Sequence, residues 1–398
     1  MIIKRNIFNK LASDISEPEV AILLGARQVG KTTLLRLIES EAKSRGLSTA
    51  YYDLESSRDM SLLSGDQAAV EKVLCGGTRV VLIDEFHYLK NASKIFKSLY
   101  DRHLPLKIYA SGSSSLEIHK HLKESLAGRF KRSIVFPLSL QEAEHAPGCT
   151  FDTYLQWGGM PGLLHRETPE SKMELLENIV NTYIAKDIKG IIREENVRAF
   201  NAMLYWLAQH QGSVVVASSL ARETGLGEST VARHLEIMSQ TYVCHIVNSY
   251  ARNLSNELKK SKKAYLFDLG IRNSLLKDFR SAAERDDRGV LYESFVYLHL
   301  FRQLKPNMEI RFWRTKKGSE VDFVLLKNRI PLPVEVKSNP AEMSVPPGMK
   351  AFLKAYPESP YGVVFNGAVE GEKDAEGRKV FFRRWESAQD MEYLQKPF

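Results

Sequence analysis

The strongest constraint on the fold is the stretch GARQVGKT, residues 25 to 32, which directly follows the apolar run VAILL. Gly25, Gly30, Lys31 and Thr32 fill every fixed position of the phosphate-binding P-loop. Glycines let the backbone curl, so that its N–H groups and the next helix N-terminus face the phosphates. We expect Lys31 to reach the terminal phosphate oxygens and Thr32 to offer its hydroxyl to Mg²⁺. The predicted nucleotide-binding residues are Gly25, Ala26, Arg27, Gln28, Val29, Gly30, Lys31, Thr32 and Thr33.

Short β-branched runs alternate with helical patterns around this loop. Such alternation is typical of an α/β domain with a mostly parallel sheet. The predicted strands cover residues 20–24, 49–53, 80–83, 107–110 and 134–136.

The third of these runs ends in two acids, Asp84 and Glu85. Asp84 is placed to hold Mg²⁺ through water, and Glu85 to accept a proton from the attacking water. Two acids after an apolar strand are otherwise a simple strand exit. Because the P-loop accompanies them, the pair predicts hydrolysis of the nucleotide rather than binding alone.

Residues 20 to 140 resemble the ATPase core of the AAA+ superfamily, in a prokaryotic branch whose loop often reads G-x-R-Q-x-G-K-T. The resemblance implies that ATP and Mg²⁺ bind here, and that the strand IYASGSSS lies between the P-loop strand and the Asp84 strand. Ser111 or Ser113 would then sense the γ-phosphate. The segment LAGRFKRSIVF resembles the AAA+ sequence GRFDR, which nominates Arg129 and Arg132 as arginine fingers in a homo-oligomer. Lys131 departs from that pattern, and a solvated basic turn is the alternative.

Composition limits the other function classes. A chain of 398 residues, 43% hydrophobic and 26% charged, is expected to fold into two or three globular domains. Its net charge of +8 is spread evenly, because residues 1–150 hold 21 basic and 17 acidic residues and the remainder holds 35 and 31. DNA is therefore a permissible partner on charge alone. The three cysteines lack metal or disulfide spacing, and no signal peptide or membrane span is recognised, so a cytoplasmic location is expected.

Residues 213 to 250 resemble a winged helix-turn-helix. Ser218 is expected to cap a first helix, and residues 228–238 form a second helix with Thr230 and Arg233 on its exposed face. Such a module binds DNA in some proteins and is a rigid connector in others. The basic run KKSKK, residues 259–263, is interpreted as a solvated loop.

The last third of the chain carries a second charged constellation. Residues 288–304 read as an amphipathic helix containing Glu293, and three strands follow, RFWR, GSEVDFVLL and LPVEVK. In a strand, alternate side chains share a face, so Glu335 and Lys337 point the same way. If its strand lies next to theirs, Asp322 converges with them on one spot suited to Mg²⁺. The alternative is a hairpin with solvent-facing charge pairs.

This arrangement is similar to the PD-(D/E)xK, or restriction-endonuclease-like, fold. The resemblance implies that Asp322 and Glu335 are metal ligands, Lys337 the catalytic lysine and Glu293 an accessory acid at the metal. The predicted domains are an AAA+-like ATPase (1–140), a helical connector (141–200), a winged helix (201–275) and a nuclease-like domain (276–398).

The sequence is compatible with three functions. The chain is an ATP-controlled enzyme that cuts DNA, an ATP-dependent switch whose nuclease-like domain only binds DNA or protein, or a protein-remodelling ATPase.

Overall fold

The computed structural model describes residues 3–113, 127–183, 197–251 and 261–390. The chain divides into two compact units. The first comprises residues 1–138, 160–162 and 236–243, and the second comprises residues 139–159, 163–235 and 244–398. The finer division into four domains stays a prediction.

The first unit contains a five-stranded parallel sheet in the order β2-β3-β4-β1-β5. The strand β4 therefore lies between the P-loop strand β1 and the Asp84 strand β3, as expected. The apolar side chains of β1 and β3 are fully buried because helices cover both faces of a parallel sheet. The strands are β1 (Val20–Gly25), β2 (Thr49–Asp53), β3 (Val80–Asp84), β4 (Lys107–Ser113) and β5 (Phe130–Ile134).

The fifth strand was wrongly placed at residues 134–136. It begins at Phe130 and runs through Lys131 and Arg132, pairing with β1 from Val20 onward. A charged segment is tolerated here because β5 is an edge strand with a partner on one side only.

Helices of the first half follow the strands, as the sequence pattern indicates. They are α1 (Asn6–Ser13), α2 (Lys31–Ser44), α3 (Ser57–Leu62), α4 (Gln67–Leu74), α5 (Ala92–Asp101), α6 (Leu140–Ala143), α7 (Phe151–Trp157) and α8 (Pro169–Tyr183).

The next stretch, called the module at 197–266 below, is described over residues 197–251 and 261–266. It contains α9 (Val197–Gln209), β6 (Val214–Val215), α10 (Ala217–Thr224), α11 (Glu228–Gln240), β7 (Cys244–Asn248) and β8 (Lys262–Leu266). The three strands make an antiparallel sheet in the order β6-β8-β7. The expected cap at Ser218 is wrong, because α10 begins earlier, with Val216 as its N-cap and no side chain bonded there.

A six-stranded mixed sheet dominates the C-terminal region, in the order β13-β14-β12-β11-β10-β9. The neighbours β9, β10 and β11 are antiparallel, whereas β11 and β12 are parallel. Its strands are β9 (Met308–Arg314), β10 (Glu320–Lys327), β11 (Ile330–Val336), β12 (Gly362–Asn366), β13 (Gly371–Ala375) and β14 (Arg378–Arg384). The accompanying helices are α12 (Leu269–Leu276), α13 (Arg288–Arg302) and α14 (Pro347–Ala355).

Within the residues described, no helix combines the length and the apolar character needed to cross a membrane.

A close backbone approach in the second unit yields a first prediction. A Cβ on Gly270 would lie 1.8 Å from the carbonyl oxygen of Trp157. Glycine to alanine normally stabilises a helix by about 0.5–1 kcal/mol. In Gly270→Ala we expect the opposite sign, a loss of ~1–3 kcal/mol in the free energy of unfolding, because overpacking forces the backbone apart.

The measurement is urea unfolding of the full chain, with Gly227→Ala as the matched control. No atom lies within 4 Å of a Cβ at Gly227. A Gly270→Ala midpoint equal to that of the control would contradict the close approach.

Candidate functional site

The P-loop links β1 to α2 in the expected conformation. A Cβ at Gly25 would lie 2.3 Å from the carbonyl oxygen of Val135, so only glycine fits there. Gly30 takes the left-handed conformation (φ 95°) immediately before α2 begins at Lys31. The hydroxyl-bearing residues Thr32 and Thr33 are exposed. The loop therefore presents helix-terminal N–H groups and accessible hydroxyls to an anion.

Lys31 is folded back onto its own loop. Its ammonium donates to the carbonyl oxygens of Gly25 at 3.0 Å and Ala26 at 2.8 Å, and the residue is 6% exposed. A buried ammonium needs such partners. An incoming phosphate offers oxygen acceptors that replace these carbonyls.

Asp84 ends β3 as a buried carboxylate held from two sides. The Ser111 hydroxyl donates to Oδ1, and the Tyr51 hydroxyl donates to Oδ2 at 3.0 Å. Burial, together with the charge of Asp84, raises the pKa of Tyr51, so this phenol stays a donor. The guanidinium of Arg36 covers the Tyr51 ring at 3.2 Å. Ser111 and Tyr51 therefore fix the orientation of the predicted Mg²⁺ carboxylate.

Glu85 and Ser113 complete the predicted set around the phosphates. Glu85 has a left-handed backbone (φ 53°), its N–H donates to Ser111 Oγ at 3.4 Å, and its carboxylate lies 3.1 Å from His87 Nδ1. A positive φ on a non-glycine residue is uncommon and concentrates at functional sites. Ser113 pairs with Gly25 at the end of β4, beside the P-loop.

Arg5 supports the loop from behind. Its guanidinium donates from Nη1 to the Val29 carbonyl at 2.9 Å and from Nη2 to the Phe136 carbonyl at 2.6 Å. Arg5 is 7% exposed. The sequence offers no motif for this residue, which lies 20 residues before the first loop glycine.

The two nominated arginine fingers lie at the start of β5. Arg129 Nε donates to Asp101 at 2.7 Å within the chain, and Arg132 is exposed. An exposed ion pair of this kind contributes little to stability and is easily exchanged. Action on a neighbouring subunit stays a prediction for both residues.

In the C-terminal region, adjacent strands bring Asp322 and Glu335 together. The register places Phe323 opposite Val334, so the two acids face each other across β10 and β11. The carboxyls share a hydrogen bond, and Asp322 Oδ2 also accepts from the Val336 N–H at 2.8 Å. The convergence expected from strand alternation is present.

Glu335 is buried and Lys337 reaches it from the open side. Lys337 Nζ lies 2.8 Å from Glu335 Oε2, and its side chain is 45% exposed. Burial, followed by the charge of Asp322, raises the pKa of Glu335 to about 8 despite this ammonium. The hairpin alternative with solvent-facing pairs is therefore wrong for Glu335, which is 3% exposed.

Glu293 projects from α13 toward the same strands but has different partners. The Tyr265 hydroxyl donates to its Oε1, and Lys263 Nζ lies 3.6 Å from that oxygen. Lys263 also lies 2.7 Å from Glu320 Oε1. The interpretation of KKSKK as a solvated loop is wrong for Lys263, because β8 carries this side chain into the interior, where it is 2% exposed.

Asp322, Glu335 and Lys337 border an open pocket of about 500 Å³. Its lining includes Lys317, Glu320, Asp322, Glu335, Lys337 and Gly348. Among the residues that the structure describes, no three acidic, histidine or cysteine side chains converge as a metal site. Two carboxylates with several waters nevertheless match the ligand set that Mg²⁺ takes in proteins. The pair Asp322 and Glu335 therefore fits one such ion, without Glu293 as a third ligand.

Three family models match successive parts of the chain. Residues 17–144 match a model described as AAA domain. Residues 149–282 and 288–381 match two models, each described as a domain of unknown function (DUF8612 and DUF4143). The first part of the chain thus matches AAA domains over the region that contains the P-loop.

Relatives cover most of the chain at low identity. An uncharacterized protein of Mycobacterium tuberculosis is 25% identical over 340 residues, which are 85% of this chain and 74% of the relative. One of Methanocaldococcus jannaschii is 22% identical over 348 residues, covering 81% and 75%. Among solved structures, AMPPCP-bound DnaA from Aquifex aeolicus has a TM-score of 0.32 and 14% identity, covering 59% of this chain and 86% of that chain.

The P-loop geometry yields a second prediction. Lys31→Ala should weaken ATP binding by roughly 10- to 100-fold, since a charged hydrogen bond contributes about 1.5–3 kcal/mol. Isothermal titration of ATP into the full chain measures the loss. Lys43→Ala is the control, because Lys43 lies on the exposed side of the same helix and pairs with Glu39 there. Equal affinities of the two variants would contradict the assignment of Lys31.

The raised pKa of Glu335 yields a third prediction. Glutamate titrates near 4.5 when unfolded and near 8 in the folded chain. Between these values only the folded state holds the proton, so the free energy of unfolding should fall as pH rises from about 5 to 8. Glu335→Gln, which is neutral throughout, should flatten much of this fall.

Urea unfolding in metal-free buffer at several pH values measures how the free energy of unfolding changes with pH. The control is Glu309→Gln on β9, where the side chain is 58% exposed. A Glu335→Gln curve with the wild-type slope would mean that this carboxyl is ionised in the folded state.

Proposed function

We propose that this chain is an ATPase whose nucleotide state controls cleavage of DNA at the C-terminal pocket. The observation that carries the proposal is the pairing of Asp322 with Glu335 across adjacent strands, with Lys337 beside them. An AAA-type domain in the same chain supplies the nucleotide dependence.

Hydrolysis of ATP is supported by the residues at the strand ends. Thr32 is exposed beside the loop, Asp84 is held ready by Ser111 and Tyr51, and Glu85 stands next to Asp84. Thr32 and Asp84 would hold Mg²⁺ with the nucleotide, and Glu85 would orient and deprotonate the attacking water. Arg132, exposed on β5, is available to a neighbouring nucleotide in an assembly.

Cleavage of a phosphodiester is supported by the order and pairing of the C-terminal elements. The sequence of elements is α13, β9, β10, β11, α14 and β12, with three antiparallel strands followed by a parallel one. The helix followed by three strands is the part of this order on which the resemblance to PD-(D/E)xK nucleases rests. Fold alone does not assign an activity, so the proposed cleavage depends on the chemistry of the pocket residues.

Each pocket residue has a role in this reaction. Asp322 and Glu335 would hold Mg²⁺, which when bound polarises a phosphate oxygen and acidifies a bound water. Lys337 is half exposed and charged, because the neighbouring carboxylates outweigh burial and raise its pKa. Its ammonium would orient the attacking water against the phosphodiester.

DNA is the proposed polymer because exposed basic residues surround the pocket. Arg314 ends β9, Lys316 and Lys317 lie on the turn that follows, all three are exposed, and Lys317 lines the pocket. Such side chains bind phosphates without reading sequence. In the module at 197–266, Arg233 lies on the exposed side of α11 and would add a further phosphate contact.

A switch without cleavage is the second candidate function. It is favoured by the absence, among the described residues, of a third acid grouped with Asp322 and Glu335. In that case the pocket binds a phosphate backbone or an acidic partner, and ATP turnover changes the affinity.

The proposal predicts Mg²⁺-dependent cleavage of DNA that ATP alters. Single- and double-stranded DNA are incubated with the full chain, with and without ATP. Glu335→Gln should lower cleavage by about 100-fold or more while leaving ATP turnover unchanged, since it removes one metal ligand. Glu85→Gln should keep ATP binding, slow its hydrolysis and abolish the effect of ATP on cleavage.

Two outcomes would favour a different function for the chain. DNA binding without cleavage in the wild type, lost in Lys317→Ala, would favour the switch. Neither binding nor cleavage would leave an ATPase with a non-nucleic-acid partner.

A further inference from the structure

Lys263 is a buried cation that pairs with Glu320, an acid of the pocket lining, although it comes from another part of the sequence. It lies on β8, within the family match at 149–282, whereas its partners Glu293 and Glu320 lie in the match at 288–381. The charged cluster around Lys263 is therefore built from two parts of the chain. The C-terminal segment alone lacks this ammonium.

The cation is held in its charged form. Burial disfavours the ammonium, but Glu293, Asp322 and Glu320 outweigh burial and raise the pKa of Lys263. An ammonium with 2% exposure is stable only if such partners surround it.

If all the acids near the pocket are ionised, they outnumber the ammoniums that pair with them. Four carboxylates, Glu293, Glu320, Asp322 and Glu335, face two ammoniums, Lys263 and Lys337. Arg314 stands 3.7 Å from Glu320, but its side chain is half exposed and its charge is screened by solvent. Two negative charges remain when all four acids are ionised, which is the charge of one divalent ion.

The carboxylate of Glu293 already has a hydrogen-bond donor and an ammonium of the protein as partners. Its Oε1 accepts from the Tyr265 hydroxyl and faces Lys263, and both donors come from β8. These contacts hold Glu293 and Glu320 around the ammonium of Lys263.

We propose that Lys263 is a built-in cation of the pocket, which occupies the space between Glu293 and Glu320 and leaves room for one divalent ion at Asp322 and Glu335. Lys263 is a positioning residue in this arrangement. The inference deepens the proposed function and rests on its metal site.

Counting bound Mn²⁺ tests the inference without any activity. The full chain is stripped of metal in EDTA, desalted and titrated with Mn²⁺ in the absence of nucleotide, with free Mn²⁺ read from its electron paramagnetic resonance signal. Wild type and Lys263→Arg should each bind one Mn²⁺ ion. The substitution Asp322→Asn should abolish this binding. Lys263→Gln should bind two, the second lost in the double variant Lys263→Gln/Glu293→Gln. A folded Lys263→Gln chain that binds one ion with the wild-type affinity would overturn the inference.

Loss of folding in Lys263→Gln is also informative. Removing the ammonium leaves two carboxylates facing each other, so the variant should recover its wild-type circular dichroism in Mn²⁺ but not in K⁺ of equal ionic strength. A chain that stays unfolded in Mn²⁺ would count against the built-in cation.

The same titration separates this inference from the proposed function. No ion in the wild type but one in Lys263→Gln would support the built-in cation and remove the metal site at Asp322 and Glu335. One ion in both would leave the metal site standing and overturn the built-in cation. No ion in either folded chain would overturn both.

Discussion

The register between β10 and β11 is the constraint on which the C-terminal pocket depends. Because side chains alternate along a strand, a shift of one residue would move Asp322 to the face opposite Glu335. The pairing is fixed by the apolar residues between the charges, such as Phe323 and Val334, which are fully buried. The hydrophobic core of the sheet thus sets the geometry of the acids, and the hydrogen bond from the Val336 N–H to Asp322 adds a direct tie.

Local patterns predicted those parts of both sites that depend on neighbouring residues in the sequence. The P-loop follows from its spacing, and the convergence of Asp322 with Glu335 and Lys337 follows from strand alternation. The position of β4 between β1 and β3 came from the family resemblance and agrees with the sheet order. In each case the positions depend on one loop or on strands that pair directly.

Side chains that reach a site from distant segments were not predictable in this way. Arg5 bonds a carbonyl 131 residues away, and Tyr51 bonds an aspartate 33 residues away. Lys263 was misread because four lysines in five residues resemble a solvated run, whereas β8 turns Lys262 outward and Lys263 inward. A single sequence contains no signal for the carboxylates that receive Lys263, since they follow 30 to 57 residues later.

The separation between Lys263 and its partners also bears on the order of events during protein synthesis. A chain leaves the ribosome from its N-terminus, so β8 emerges while α13 and β10 are still being made. Until then the ammonium of Lys263 has water as its partner, and its burial would cost several kcal/mol. The module at 197–266 alone therefore lacks the carboxylates that allow Lys263 to be buried. We expect its final packing to follow the translation of Glu293 and Glu320, which supply the carboxylates that pair with Lys263.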